Sequence, residues 1–469
     1  MPVDRGSGRN SAGVIAPPID VVHPEVVRKR RTDPAALLTF YLVLLLAIPS
    51  TLIFASLGGA GTPATLLGIV FLGWYLLNWL NSNSTLARAR QPIRLAGVLF
   101  LCSVMLAYTS ATRQAMPTLE LNAADRGLIL ASAWLGILLL AADGIDSMDR
   151  LKTLLRRVVF GVSAIAALGI TQFFTGLNLA AYIIIPGLTS TGQYNDIQQF
   201  QGLPRPSATA AQPIEFAAVL AIALPLAIHQ ARHAPPGRRG RRWAQVALIG
   251  VALPMTVSRT AILGLAVVLV VLLPTWSARE RGRAYLTVIV SAALLRALKP
   301  GLLGTLRNLF FQIGSDSDTV SRSSGLSAAG GFIAQHPWFG RGFGTFLPQT
   351  YRFLDDQYLG TLVETGIFGF VILVALFATG WSLARRVRRM STYSAERDLA
   401  QSLAASIAVA GLTFGTFDAL GFSMATGLTF LLLGCVGALW RLAKAESSSS
   451  DPAGRRTIGI ASAGHAGAS

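Results

Sequence analysis

Two arginines and one aspartate set the chemical question in this chain. They are Arg259 in TVSRTAILG, Arg322 in TVSRSSGLSAAGGFIAQHPWFGRGFG, and Asp356 in DDQYLGTLVETGIFG. A guanidinium is a planar fork that grips a phosphate through two hydrogen bonds and stays charged when partly desolvated. A carboxylate next to such a site can take the proton of an attacking hydroxyl. Two cations and a base are therefore suited to displacing an anionic leaving group. Each residue also has a plainer reading. Arg259 at the start of an apolar run can snorkel to an interface. Arg322 can be a solvated loop residue. Asp355 and Asp356, just before a helix, can cap it and complement its dipole.

Other polar groups gather around these three. Glu364 follows Asp356 by about two helical turns, ~12 Å deeper on nearly the same face, and an acid at that depth needs a partner. Gly366 and Gly369 are spaced to allow close helix packing. An earlier polar segment runs Asn195-Asp196-Ile197-Gln198, then Arg205-Pro206-Ser207-Ala208-Thr209-Ala210-Ala211-Gln212-Pro213-Ile214-Glu215-Phe216. In it, Glu215 is expected to pair with one of the nearby arginines. His336 precedes a proline, so it shapes an extended turn and is not taken as a base. Gly340-Arg341-Gly342-Phe343-Gly344 resembles a nucleotide loop only on the surface, because no strand precedes it. Asp316-Ser317-Asp318 has the form of a metal-nucleotide motif, but in this loop it is read as a chance pair, and no metal ligands are assigned.

The elements that position these residues are apolar helices. Hydrophobic residues make up 52% of the chain and charged ones 13%, against about 25% charged in soluble domains; mean hydropathy is +0.54. Runs such as AALLTFYLVLLLAIPSTLIFAS are continuous instead of alternating, which gives an all-α polytopic membrane protein and excludes a β-barrel. Taking ~20 residues per crossing, about twelve spans lie near 34–56, 60–81, 94–112, 126–143, 153–176, 213–231, 243–257, 260–276, 283–300, 358–384, 398–416 and 420–442. A polar and aromatic loop, 301–357, joins the ninth and tenth, and Leu177–Pro186 is too short to cross and is expected at the interface. The net charge of +18 does not point to nucleic acid, since no basic module with its own core is present. Instead, Arg88, Arg150, Arg238, Arg281 and Arg386 fall in short loops on one side of the count, which makes that side cytosolic. Both termini are then cytoplasmic, as an N-terminal tail over 1–33 and a disordered tail over 445–469. The loop 301–357 faces outward. Cys102 and Cys435 sit inside apolar spans and are read as packing residues.

The ordered set RPSATAAQPIEF, SRTAILGL, SR…HPWFGRGFGTF and DDQYLGTLVETGIFG resembles the O-antigen ligase and polymerase superfamily of bacterial surface-polysaccharide enzymes. The resemblance covers about 195–380 of a bundle spanning 34–444. It implies a cofactor-free, metal-independent glycosyltransferase in the cell membrane, acting on an undecaprenyl-pyrophosphate-linked glycan and a saccharide acceptor. It implies that Arg259 and Arg322 hold the pyrophosphate and that Asp356 stands where the ligases have histidine. Asp356, Arg322 and Arg259 are then the catalytic set, and Arg205, Arg341, Gln357, Glu364 and Glu215 the substrate-binding set. Polymerisation is favoured over ligation to a different acceptor. A transporter or flippase, with Glu215, Glu364 and Asp418 as proton-relay groups, is the rival from another class.

Overall fold

A computed structural model describes residues 33–80, 91–191, 196–311, 329–351 and 354–449. Among these, the helices are α1 Pro34–Ala47, α2 Pro63–Leu80, α3 Pro92–Thr112, α4 Thr118–Gly144, α5 Met148–Thr175, α6 Pro213–Arg232, α7 Pro236–Met255, α8 Arg259–Leu272, α9 Ala278–Leu298, α10 Leu302–Phe311, α11 Gln357–Met390, α12 Ser394–Thr413 and α13 Ser423–Ser449. Every expected span coincides with one of them. Seven of the described helices are long and apolar enough to cross a membrane: α2, α3, α4, α5, α6, α11 and α13. The protein is an all-α polytopic membrane protein. The two tails expected at 1–33 and 445–469 lie almost wholly outside the described residues, although α13 runs on to Ser449.

The centre of the bundle is built from α4, α6 and α13. In α4 the run ASAWLGILLLAADG is apolar on all sides, the pattern of a helix with no solvent face. Backbones meet closely at small residues, as expected where van der Waals packing drives helix association. A Cβ on Gly136 would lie 2.2 Å from Gly68 O of α2, and one on Gly434 would lie 2.6 Å from Leu138 O. Helix α9 lies at the periphery, with Tyr285, Leu286, Ile289 and Val290 exposed, as lipid-facing residues are.

Three boundaries differ from expectation for local reasons. Helix α1 stops at Ala47 because Pro49 follows, and the chain continues as a short strand, β1 (Leu52–Ile53), paired with β2 (Thr189–Ser190). Helix α4 begins at Thr118 instead of 126, adding a polar turn that carries Glu120. The loop 301–357 is not a continuous coil: it contains α10 and a helical run at 329–335. The segment near 177–186 forms a single 3-10 turn with Tyr182 and Ile184 exposed.

Helix α11 is two half-helices. Gly366 (φ 67°, ψ −170°) breaks it, and the segment 337–342 fills the break. Arg341 N and Gly342 N donate to the freed carbonyls of Val363 (3.1 Å) and Glu364 (2.9 Å), while Ile367 N and Phe368 N donate to Pro337 O (2.8 Å) and Trp338 O (3.2 Å). Broken helices persist at membrane depth only where such partners exist. The fit is close on both sides: a Cβ on Gly366 would lie 2.4 Å from the Trp338 backbone, and one on Gly340 2.2 Å from that of Glu364. Gly366 is thus the site of a break, not a helix-packing glycine.

Candidate functional site

At one end of the bundle the chain encloses a cavity of about 750 Å³. Its wall comes from the connections after α1, before α6, before α8 and before α11, and from the connection between α12 and α13. The connections α4–α5, α6–α7, α8–α9 and α11–α12, made arginine-rich by the helix ends that flank them, lie at the other end. Among the described residues, the charged side chains in the wall are Arg205, Arg259, Asp355 and Asp418.

Arg259 is the first residue of α8. Ser258 caps that helix, its Oγ accepting from Thr260 N at 3.3 Å. The positive end of a helix dipole and a guanidinium therefore occupy one place, which favours an anion there. Val257, just before, is fully buried with φ 46°. A β-branched residue in that region is strained, and such outliers cluster at functional sites. The Thr260 and Thr416 hydroxyls are 2.9 Å apart, tying the start of α8 to the end of α12.

Arg205 is carried by a hairpin of β3 (Gln198–Phe200) and β4 (Leu203–Arg205). Its two-residue turn, Gln201-Gly202, has positive φ at both positions, the geometry that suits a tight hairpin. The guanidinium lies over Phe200, 6.0 Å from the ring centroid, with Nε 3.5 Å from Thr256 O.

Asp418 lies among the ends of α11, α12 and α13, and its side chain is exposed where it lines the cavity. Burial, and then the negative charge of Asp355, push its carboxyl above the usual carboxylate range to about 6, against the lowering effect of the Gly421 N–H it accepts.

The other site residues are placed differently. Asp356 does not line the cavity: its Oδ1 caps α11, accepting from Tyr358 N (2.8 Å) and Leu359 N (3.4 Å), so its neighbour Asp355 is the acid in the wall. Gln357 is buried and bonds Leu420 N (2.8 Å) and Thr361 Oγ1 (3.2 Å). Glu364 accepts from Phe346 N at 3.2 Å. Glu215 meets no arginine among the described residues. It accepts from Ala211 N (2.8 Å), Met424 N (2.8 Å) and Ala425 N (3.2 Å), closing the N-terminus of α13. Arg341 is a structural lock away from the cavity: its Nη2 is 2.6 Å from Glu120 Oε2 and 2.7 Å from the Tyr351 hydroxyl, which donates to Glu120 Oε1 at 2.6 Å. Phe343 follows it into the core, edge-on to Trp134. Arg322 lies outside the described residues, as does the Asp316-Ser317-Asp318 motif.

Sequence reasoning passed over Glu120 and chose Asp356 over Asp355. For Asp418 a signal existed, since an acid between two apolar spans is uncommon.

Residues 244–374 match the family described as O-Antigen ligase. These residues run from within α7 to within α11 and include Arg259, Asp355 and the 337–342 plug. The match supports the resemblance to the ligase and polymerase superfamily. No curated protein matches the chain. Among solved structures, the chain is similar to one from "Structural coordination of polymerization and crosslinking by a peptidoglycan synthase complex", at 18% identity and a TM-score of 0.41, over 74% of this chain and 97% of that one.

Proposed function

We propose that this protein transfers glycan from a lipid diphosphate donor to a saccharide acceptor inside the cavity, on the non-cytosolic face of the cell membrane. The single observation that carries the reading is the composition of the cavity wall: Arg259 at a helix N-terminus and Asp355, both inside the stretch that matches the O-Antigen ligase family, with Arg205 and Asp418 in the same wall. Orientation is supported by charge. The cavity is at the end opposite the arginine-rich connections, and these mark the cytosolic side. Both termini are then cytoplasmic.

Outside the cytosol an acceptor hydroxyl needs a donor that is already activated. A lipid-linked diphosphate, of the undecaprenyl type, brings its own leaving group. The acceptor oxygen attacks the anomeric carbon, the bond from that carbon to the diphosphate oxygen breaks, and the diphosphate departs as an anion. Arg259 and Arg205 stabilise its developing charge, joined by Arg322 if the loop brings it to the same cavity. The acceptor's proton passes to Asp418, whose basicity Asp355 raises. Asp356 holds the helix start that carries Asp355 in the wall. A proton acceptor with a pKa near the working pH is the efficient choice.

Chain growth, not capping of a foreign acceptor, is the favoured outcome. The test is a gel assay with purified protein and a defined lipid-linked oligosaccharide, with and without a separate acceptor. A ladder of longer lipid-linked products supports polymerisation. A single capped product supports ligation. No product with either acceptor, from folded protein, overturns the glycan-transfer reading.

A further inference from the structure

We propose that His229, His233 and Asp398 bind one imidazole-preferring divalent metal ion of the zinc and cobalt class, at the bundle end opposite the cavity. His229 and His233 are one turn apart at the end of α6, so they share a face. Asp398, in the second turn of α12, meets both: Oδ2 is 3.0 Å from His229 Nδ1 and 3.1 Å from His233 Nε2. The three ligand atoms lie within 4.8 Å of one another, close enough for one ion to meet all three.

The surroundings orient the donors. Arg232 Nη1 holds the other carboxylate oxygen, Oδ1, at 2.9 Å, leaving Oδ2 turned to the imidazoles. Arg232 is itself fixed by Glu280 at 2.7 Å and lies over the Trp276 ring at 5.0 Å. Outer partners of this kind set the direction of metal ligands. On binding, each neutral imidazole carries its proton on the ring nitrogen turned away from Oδ2, and the nitrogen facing Oδ2 takes the ion.

The same surroundings choose the metal class. Magnesium and calcium gain from several oxygen ligands, and this site offers one carboxylate among arginines. Zinc and cobalt gain from the neutral imidazoles, which the arginines do not oppose. The ion would join the end of α6 to the start of α12. The far ends of these two helices lead to Gln212–Ile214 and Thr416–Asp418 in the cavity wall. Its role is a staple remote from the reacting groups, and it stands whether or not the glycan reading does.

The experiment uses full-length protein without a histidine tag, treated with chelator and titrated with zinc by calorimetry, with cobalt by visible absorption, and with magnesium as the control. One equivalent of zinc and of cobalt per chain, a higher melting temperature with zinc, and no response to magnesium are expected. His233 is exposed, so His233→Gln should keep its metal-free melting temperature while zinc affinity falls by about tenfold or more. His229→Gln/His233→Gln should abolish saturable binding. Zinc bound as tightly by the double variant as by the parent, no saturable binding by the parent, or an equal response to magnesium would each overturn the proposal.

Discussion

Asp418→Asn separates a residue kept for chemistry from one kept for stability. If burial and Asp355 carry Asp418 from its ordinary 3.8 to about 6, the folded protein disfavours the ionised carboxyl by about 3 kcal/mol. The side chain opens onto the cavity, where solvent screens it, so the working figure is about 1–2 kcal/mol. The sign follows from linkage. Below the unfolded value the carboxyl is neutral in both states and aspartate and asparagine are equivalent. Between 3.8 and about 6 the unfolded chain ionises first, so the parent loses stability as pH rises. Above about 6 the loss is complete. Asparagine keeps an acceptor for the Gly421 N–H and carries no charge. It should therefore match the parent near pH 4 and exceed it at neutral pH by about 1–2 kcal/mol, while transfer activity disappears. Parent activity should rise with pH through about 6 as the base ionises. Thermal melts of both proteins across this pH range, in one detergent, read the difference. A variant less stable than the parent at neutral pH, or one with full activity, would refute the reasoning.

Other substitutions probe the structure that holds the cavity. Glu120→Gln leaves the buried Arg341 guanidinium without its counter-charge and should lower stability by about 3–5 kcal/mol; a thermal melt checks it, and an unchanged melt would show that the lock is dispensable. Glu215→Ala strands the buried Met424 and Ala425 N–H groups and should cost about 2–4 kcal/mol, whereas Glu215→Gln, which can still accept, should cost less; comparing the two melts separates hydrogen bonding from charge. Gly366→Ala forces a side chain into the Trp338 backbone at positive φ and should lower stability by about 2–5 kcal/mol, with faster proteolysis within 337–342 as the second readout.

What could be read from the sequence was what is local. Apolar runs mark the spans, and a helix stands at each expected stretch. Arg259 and Arg205 could be picked out because cations among the connections opposite the arginine-rich ones break the pattern of the rest. Direction and partnership were not legible. Asp355 and Asp356 are adjacent and chemically identical, and only the cap at Tyr358 N decides which faces the cavity. Arg341 looked like a ligand-binding arginine because its counter-charge, Glu120, is 221 residues away. Glu215 suggested an ion pair, yet its partners are backbone amides, one four residues before it and two in a helix over 200 residues later, which no side-chain pattern announces. The Gly366 and Gly369 spacing fits helix packing, and the plug at 337–342 that turns Gly366 into a break has no signature of its own.

The central claim is that the guanidinium of Arg259 grips a lipid diphosphate. The most direct measurement is equilibrium binding of a radiolabelled undecaprenyl-diphosphate oligosaccharide to purified parent and Arg259→Ala proteins, matched for melting temperature. Loss of a charge-assisted hydrogen bond of about 1.5–3 kcal/mol predicts affinity weaker by about tenfold or more, with the monophosphate lipid discriminated less by the variant than by the parent. Equal affinity in the two proteins, or an unchanged preference for diphosphate, would contradict the account.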